Sequence, residues 1–321
     1  MRKVFMFVPG FGQIISAATF MTTHAIQQAF AQKSIAGSVS TLSFPDIAEL
    51  RSMATTIWYD TMPDVQYLLF IDSDMGFDPN MVLDMMHFDE PIVGAIYPQR
   101  NLPTSWAGSG TGERETQRRG NFMEVEGVGM GVTLIRRDVV SIMLQKFPEL
   151  VDTKIALQPY AKILQSAGAN RLIRVFDKMT IQDRGVVSED LSFCIRWRQC
   201  GGQVWAAVGY RISHVGPYDY GACYLEHVAQ QQAMEEQRAA IAKQIETQQI
   251  AQAEASRQQL LAPLPQERLE AFPPIVPFLQ PLPAEPPQVR EVTAKEFIAQ
   301  AAAVTKRNVK AKRGNGRAAR R

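Results

Sequence analysis

Two carboxylates one residue apart, Asp72 and Asp74, close the stretch "QYLLFIDSD". Acids are rarely buried without a partner, yet residues 68–71 just before them are all apolar. A short, continuous apolar run bounded by polar residues is the mark of a strand covered on both faces. If the chain stays extended past Ile71, side chains two apart point to the same side. Asp72 and Asp74 then converge at the carboxyl end of a strand, where ligands sit in open α/β sheets. Carboxylate oxygens placed together there suit a hard divalent cation, Mn²⁺ or Mg²⁺. A D-x-D by itself equally suits a strand-end turn with two solvated acids.

Three further stretches carry chemistry. In "VVSEDLSFCIRW" Ser188 is placed to cap a helix, which puts Glu189 and Asp190 in its first turn. Such acids are ordinary helix-start residues unless they face a site, where a carboxylate within reach of an attacking hydroxyl is the natural base. His214 ends the β-like run "YRISH"; taken alone, such a histidine suits a structural role. Between them "EGVGMGVTLIRRDV" sets Gly127, Gly129, Met130 and Gly131 in a glycine-rich hairpin that allows close backbone approach.

The elements that must position these residues alternate. Apolar runs predict strands at 4–8, 38–44, 66–71 and 91–97, and helices at 17–32, 47–61 and 80–87. Alternation of this kind implies a mainly parallel α/β sheet flanked by helices. Residues 102–121 are polar and glycine-rich, a loop with Trp106 at its base that suits a lid or acceptor-binding element. Tyr97 and Arg100, just past a strand end, are further pocket candidates. A helix at 191–199 ends at Gly201-Gly202, and "QVWAAVGYRISHVG" closes the pattern with one or two strands. The globular signal covers 1–220. Residues 221–260 are Gln- and Ala-rich and predict a long solvated helix; 261–289 form a proline-rich linker, and 290–321 a short helix and a basic tail.

Composition narrows the class. With 46% hydrophobic and 21% charged residues over 321 positions, the chain can bury a substantial core. The net charge of +2 conceals eight basic and no acidic residues from Lys306 to Arg321, so the remainder is net −6. Such a tail can neutralise phosphates without sequence preference. Three cysteines with no C-x-x-C pair indicate neither a disulfide framework nor a zinc cluster, and favour a reducing cytoplasm. The opening "MRKVFMFVPGFG" breaks too early for a signal peptide, and no run approaches the ~20 apolar residues of a membrane span.

In order, "LLFIDSDMGFDPNMV", "EGVGMGVTLIRRDV" and "SEDLSFCIRWRQCGGQVW" followed by "HVG" resemble the GT-A-fold nucleotide-sugar glycosyltransferases, especially the family-2-like enzymes of bacteria and their viruses. The resemblance spans residues 3–217 and implies a Rossmann-like nucleotide-binding half, a nucleoside-diphosphate-sugar donor (UDP-linked by default) and a divalent cation. It implies that Asp74 binds the metal directly, that Asp72 holds ribose or the metal through water, and that His214 is a late metal or phosphate ligand. Arg51 matches a helix arginine that contacts the nucleotide, with Ile71 and Ser73 beside it. Val8, Pro9 and Gly10 would face the base. Asp190, with Glu189 second, takes the general-base position of an inverting transfer, and the 127–131 glycines line the acceptor and donor-sugar side.

Rivals are weaker. An EF-hand counted from Asp72 lacks oxygen ligands at its fifth and twelfth positions, Gly76 and Leu83. A haloacid-dehalogenase-type phosphatase wants Thr or Val where Gly76 stands. A sugar nucleotidyltransferase wants a basic phosphate loop, and "VPGFGQII" has no basic residue. The non-enzymatic alternative is a nucleic-acid-associated or scaffold protein acting through its basic tail.

Overall fold

A computed structural model describes residues 1–10, 15–108 and 117–261. The chain divides into a first unit, Met1–Gln248, and a second, Gln249–Arg321. The linker expected beyond Leu261, and the short helix and basic tail expected at 290–321, lie outside the described residues.

The first half follows the expected alternation: β1 (Lys3–Pro9), α1 (Ala17–Gln32), β2 (Ala36–Leu42), α2 (Ile47–Thr61) and β3 (Tyr67–Ile71). A short β4 (Met75–Phe77), α3 (Asn80–Phe88) and β5 (Ile92–Ala95) come next. β6 (Tyr97–Pro98) pairs with β7 (Trp106–Ala107), and β8 (Arg118–Arg119) leads into β9 (Phe122–Val125), β10 (Val132–Arg136) and α4 (Arg137–Lys146). Two small antiparallel pairs follow around α5 (Ala161–Ser166): β11 (Val151–Asp152) with β12 (Leu172–Ile173), then β13 (Thr180–Ile181) with β14 (Gly185–Val186). The chain then runs through α6 (Glu189–Gln199), β15 (Val204–Ala207), β16 (Arg211–His214), β17 (Ala222–Cys223) and α7 (Tyr224–Leu261).

The main sheet has eight strands in the order β2-β1-β3-β10-β5-β15-β9-β8. All but β10 and β9 run the same way, which makes it mixed and mainly parallel in direction. Alternate residues of β1 and β3 go to opposite faces, and both faces are apolar. Phe5, Phe7, Leu68 and Phe70 join Leu50, Met53 and Trp58 of α2, with α4 and α6 side chains, in one core. Val4, Met6, Leu69 and Ile71 join Ile26 and Phe30 of α1 and the methionines of α3 in the other. Helices therefore cover both sides, and β3 is wholly buried.

Two expectations are corrected. The glycine-rich stretch is not a hairpin, because β9 and β10 do not pair: β10 lies between β3 and β5, and β9 lies beyond β15. Burial explains the parting. Four consecutive residues of β10 are buried, so it belongs in the sheet interior, whereas β9 buries only its ends. Nor does the chain stay extended past Ile71. It turns, with the Met75 N–H donating to the Asp72 carbonyl at 3.2 Å. The polar stretch at 102–121 contributes β7 and β8, and its residues 109–116 lie outside the described residues.

At the other end of the first unit, β17 pairs with β16, Cys223 is buried, and Tyr224 and Leu225 pack on the core. Trp106 stacks edge-on to Tyr224, with ring centroids 5.2 Å apart. From Ala229 to Arg257 every residue of α7 is exposed, as a solvated helix requires. Among the described residues no helix is long and apolar enough to cross a membrane.

Candidate active site

The Asp72–Met75 turn is pinned by the start of α1. Ser16 caps that helix, accepting the Thr19 N–H, while its own N–H donates to the Ser73 carbonyl at 2.8 Å. The Thr19 hydroxyl donates to the Met75 carbonyl at 2.8 Å. From the other side the Asp72 N–H donates to the Gly131 carbonyl, also at 2.8 Å. β4 then pairs antiparallel with β16, setting His214 opposite Met75, and the Val215 N–H donates to the Asp74 carbonyl at 2.7 Å. Residues 140 positions apart are thereby brought side to side.

Asp74 meets two partners through one oxygen. Its Oδ2 lies 3.3 Å from His214 Nε2 and 3.1 Å from Arg100 Nη1. His214 Nδ1 is 2.9 Å from the Pro98 carbonyl, which only accepts, so Nδ1 carries the hydrogen. In the neutral ring the Nε2 lone pair then faces the Asp74 carboxylate: two electron-pair donors side by side, the second oriented by a backbone carbonyl as metal-binding imidazoles are. This donor set fits Mn²⁺, and with ligand phosphates it fits Mg²⁺, which needs only one or two carboxylates from the protein. Among the described residues no group of three or more His, Cys, Asp and Glu side chains gathers. Asp72, expected to hold ribose or the metal through water, has both oxygens turned to another partner.

That partner is Arg51. From the middle of α2 its guanidinium, with the side chain 4% exposed, donates through Nη2 to both oxygens of Asp72 at 3.1 and 3.2 Å. Its Nη1 reaches Glu189 Oε1 at 2.9 Å and also Asp190 Oδ1. Burial alone would favour the neutral form, but the Asp190, Asp72 and Glu189 charges prevail and hold its pKa above the ordinary arginine value. The second oxygen of Asp190 accepts the Met130 N–H at 3.1 Å. Burial pushes the Asp190 carboxyl up to about 6, with Arg51 opposing and the Glu189 and Asp72 charges adding to the rise. Ser188 caps α6 as expected, yet the two acids of its first turn bond across to another helix.

Two clefts open on either side of this ion cluster. One, of about 170 Å³, is lined by Pro9, Ile47, Arg51, Asp72, Ser73, Asp74 and Arg100. The other, of about 340 Å³, is bounded by Tyr97, Gly127, Gly129, Ser188, Asp190 and His214. They adjoin where Arg51 meets Asp190 and Asp74 meets His214. Sequence reasoning thus names all but Ile47 of the smaller cleft's lining and fewer than half of the larger one's.

The remaining candidates fall elsewhere or act differently. Val8 lines a separate cavity on the α1 side, and Ile71 is fully buried in the core. The Gly10 N–H is spent on the Leu42 carbonyl. Met130 is buried and contributes its backbone, while Trp106 packs against α7. Gly131 lies under the Tyr97 hydroxyl, where a Cβ would come within 2.6 Å of that oxygen. Ile47, Pro98 and Gln99 went unnoticed in the sequence; only Ile47, directly after the capping Asp46 of α2, had a local signal.

No protein-family model and no curated protein matches this chain. Solved structures similar to it include A197 from STIV, with TM-score 0.38, 16% identity, and 70% of this chain and 91% of that one covered. The catalytic domain of Drosophila beta1,4-galactosyltransferase 7 in complex with xylobiose is also similar, with TM-score 0.33, 13% identity, and coverage of 70% and 76%. A glycosyltransferase involved in glycosylating the major capsid of PBCV-1 reaches TM-score 0.27 and 11% identity over 51% and 74% of the two chains. These are faint likenesses, and the reading of the site rests on its own geometry.

Proposed function

We propose that the first unit is a GT-A-like, metal-dependent, inverting glycosyltransferase that moves a sugar from a nucleoside-diphosphate donor to an acceptor hydroxyl, with a UDP-sugar as the default donor. The observation that carries this is the pair of adjoining clefts: Asp74 borders one, Asp190 and His214 border the other, and Asp74 meets His214 where the two adjoin. The donor's nucleotide lies in the cleft between Pro9 and Ile47, its diphosphate against Asp74. Asp74 and His214 would hold a divalent cation there, which would supply charge neutralisation for a departing diphosphate without needing a proton.

Asp190 does the complementary work. One of its oxygens takes the Met130 N–H and the other takes Arg51, which fixes the plane of the carboxylate toward the 340 Å³ cleft. There it accepts the proton of the acceptor hydroxyl as that oxygen attacks the anomeric carbon, and one displacement inverts the centre. The acceptor class is a glycan, a protein or a modified nucleobase, and the basic residues from Lys306 onward would bind a polyanionic acceptor.

The test is calorimetric titration with UDP and the other nucleoside diphosphates, with and without Mn²⁺. The native chain should bind one of them in a metal-dependent way. Asp74→Ala should lose that dependence, with affinity down about 10²-fold, while its circular dichroism is unchanged. A folded Asp74→Ala protein with undiminished metal-dependent affinity removes the D-x-D from the donor site.

A further inference from the structure

Arg100 stands where a cation is wanted. Its Nη1 lies 3.1 Å from the same Asp74 oxygen that faces His214, and it lines the donor cleft with Pro9, Asp72 and Ser73. The closest approach is by Nη1, and the side chain is 41% exposed, so the contact can be given up easily. Its stem lies against the Gly216 backbone, where a Cβ would come within 2.9 Å of Arg100 Cδ. Arg51 differs on every count, being buried and engaged with three acids.

We propose that Arg100 is an exchangeable counter-cation, neutralising Asp74 before metal and donor bind and passing its guanidinium to the donor's diphosphate when a divalent cation takes Asp74. The idea rests on the glycosyltransferase reading above and adds a specificity residue to it. A planar fork that can hold two phosphate oxygens at once favours a diphosphate over a monophosphate. Until the donor arrives, Arg100 competes with the metal for Asp74, so metal and donor bind best together.

Arg100→Gln separates the two roles by sign. Mn²⁺ alone, followed by the electron paramagnetic resonance of the free ion, should bind severalfold tighter to the variant, because its competitor is gone. The nucleoside diphosphate at saturating Mn²⁺ should bind about tenfold or more weakly, and the matching monophosphate should change less. Arg100→Lys should restore the competition with Mn²⁺ but not the preference for diphosphate. Unchanged Mn²⁺ affinity in Arg100→Gln overturns the counter-cation role, and unchanged diphosphate affinity overturns the hand-over. If the native chain shows no metal-dependent binding at all, the functional reading itself fails. Native binding with an unaffected Arg100→Gln defeats this inference alone.

Discussion

Asp72 and Asp74 stand one residue apart and are held in opposite ways. Both oxygens of Asp72 accept from Nη2 of Arg51, a side chain only 4% exposed. Asp74 shares one oxygen between His214 and an arginine that is 41% exposed. A buried charge can keep its ionisation only if it is fully partnered, and removing one partner strands the others in a medium that solvates them poorly. Arg100 is 41% exposed, so although Asp74 itself is only 14% exposed, this partner is backed by water and can be exchanged at small cost. The acid held by the buried arginine is therefore part of the frame, and the acid held by the exposed arginine can exchange partners, although the first is the more exposed of the two carboxylates. The turn between them converts one motif into two functions.

The sharpest break in that comparison is chemical. Asp190 hangs from the same Arg51 as Asp72, and Asp190→Asn keeps its size while removing its basicity. Transfer should fall by roughly 10²–10⁴-fold, with donor and metal affinity nearly unchanged. If Asp190 only completes the helix start, the variant loses about 1 kcal/mol of stability and turns over normally when folded. Full activity in Asp190→Asn, or retention of configuration in the product, would return the acid to a capping role.

The second break is in stability. Arg51→Met leaves Asp72, Glu189 and Asp190 without their common partner, with side chains 25%, 13% and 20% exposed. Denaturant unfolding should show a loss of about 3–5 kcal/mol, the usual consequence of breaking a buried ion cluster from one side. Arg100→Met, its outer counterpart, should cost no more than about 1 kcal/mol. Equal losses at the two arginines would erase the distinction between frame and surface.

These contrasts mark how far the sequence can be followed. Periodicity and punctuation place β1, α1, α2 and β3 within a residue or two, since each is set by its own side chains. Much of the lining of the clefts is also legible, because it sits at strand and helix ends that local punctuation marks. What escapes is set by distant pairing. β10 inserts between β3 and β5 because of what those strands need as neighbours, so the glycines before it looked like a hairpin turn. β4 is only three residues long, too short for any pattern, yet its pairing with β16 brings His214 to Asp74. Arg51 carries no local mark of a buried residue, and only the arrival of α6 defines its partners.

The finest distinction concerns pH. Asp190 must be ionised to accept a proton, and burial has pushed its carboxyl up to about 6. The groups around it are Arg51 from α2, Glu189 beside it, Asp72 at the end of β3 and Tyr97 across the cleft. Transfer measured as kcat/KM, which reports the free enzyme, should therefore fall about tenfold per pH unit below about 6 and be level above it. Acid unfolding offers a competing cause, and the sign of the shift tells them apart. A carboxyl whose pKa is raised by folding binds its proton more tightly in the native state. Its contribution to stability accordingly grows as pH falls through about 6, and is complete below the ordinary value of 3.8. Asp190 cannot be what unfolds the protein in mild acid. Circular dichroism should stay constant between about pH 7 and 5.5 while transfer declines, and Asp190→Asn should lose the limb along with most of the rate. An acid limb that survives in Asp190→Asn assigns the titration to another group and takes the base away from the inner, Arg51-held side of the site.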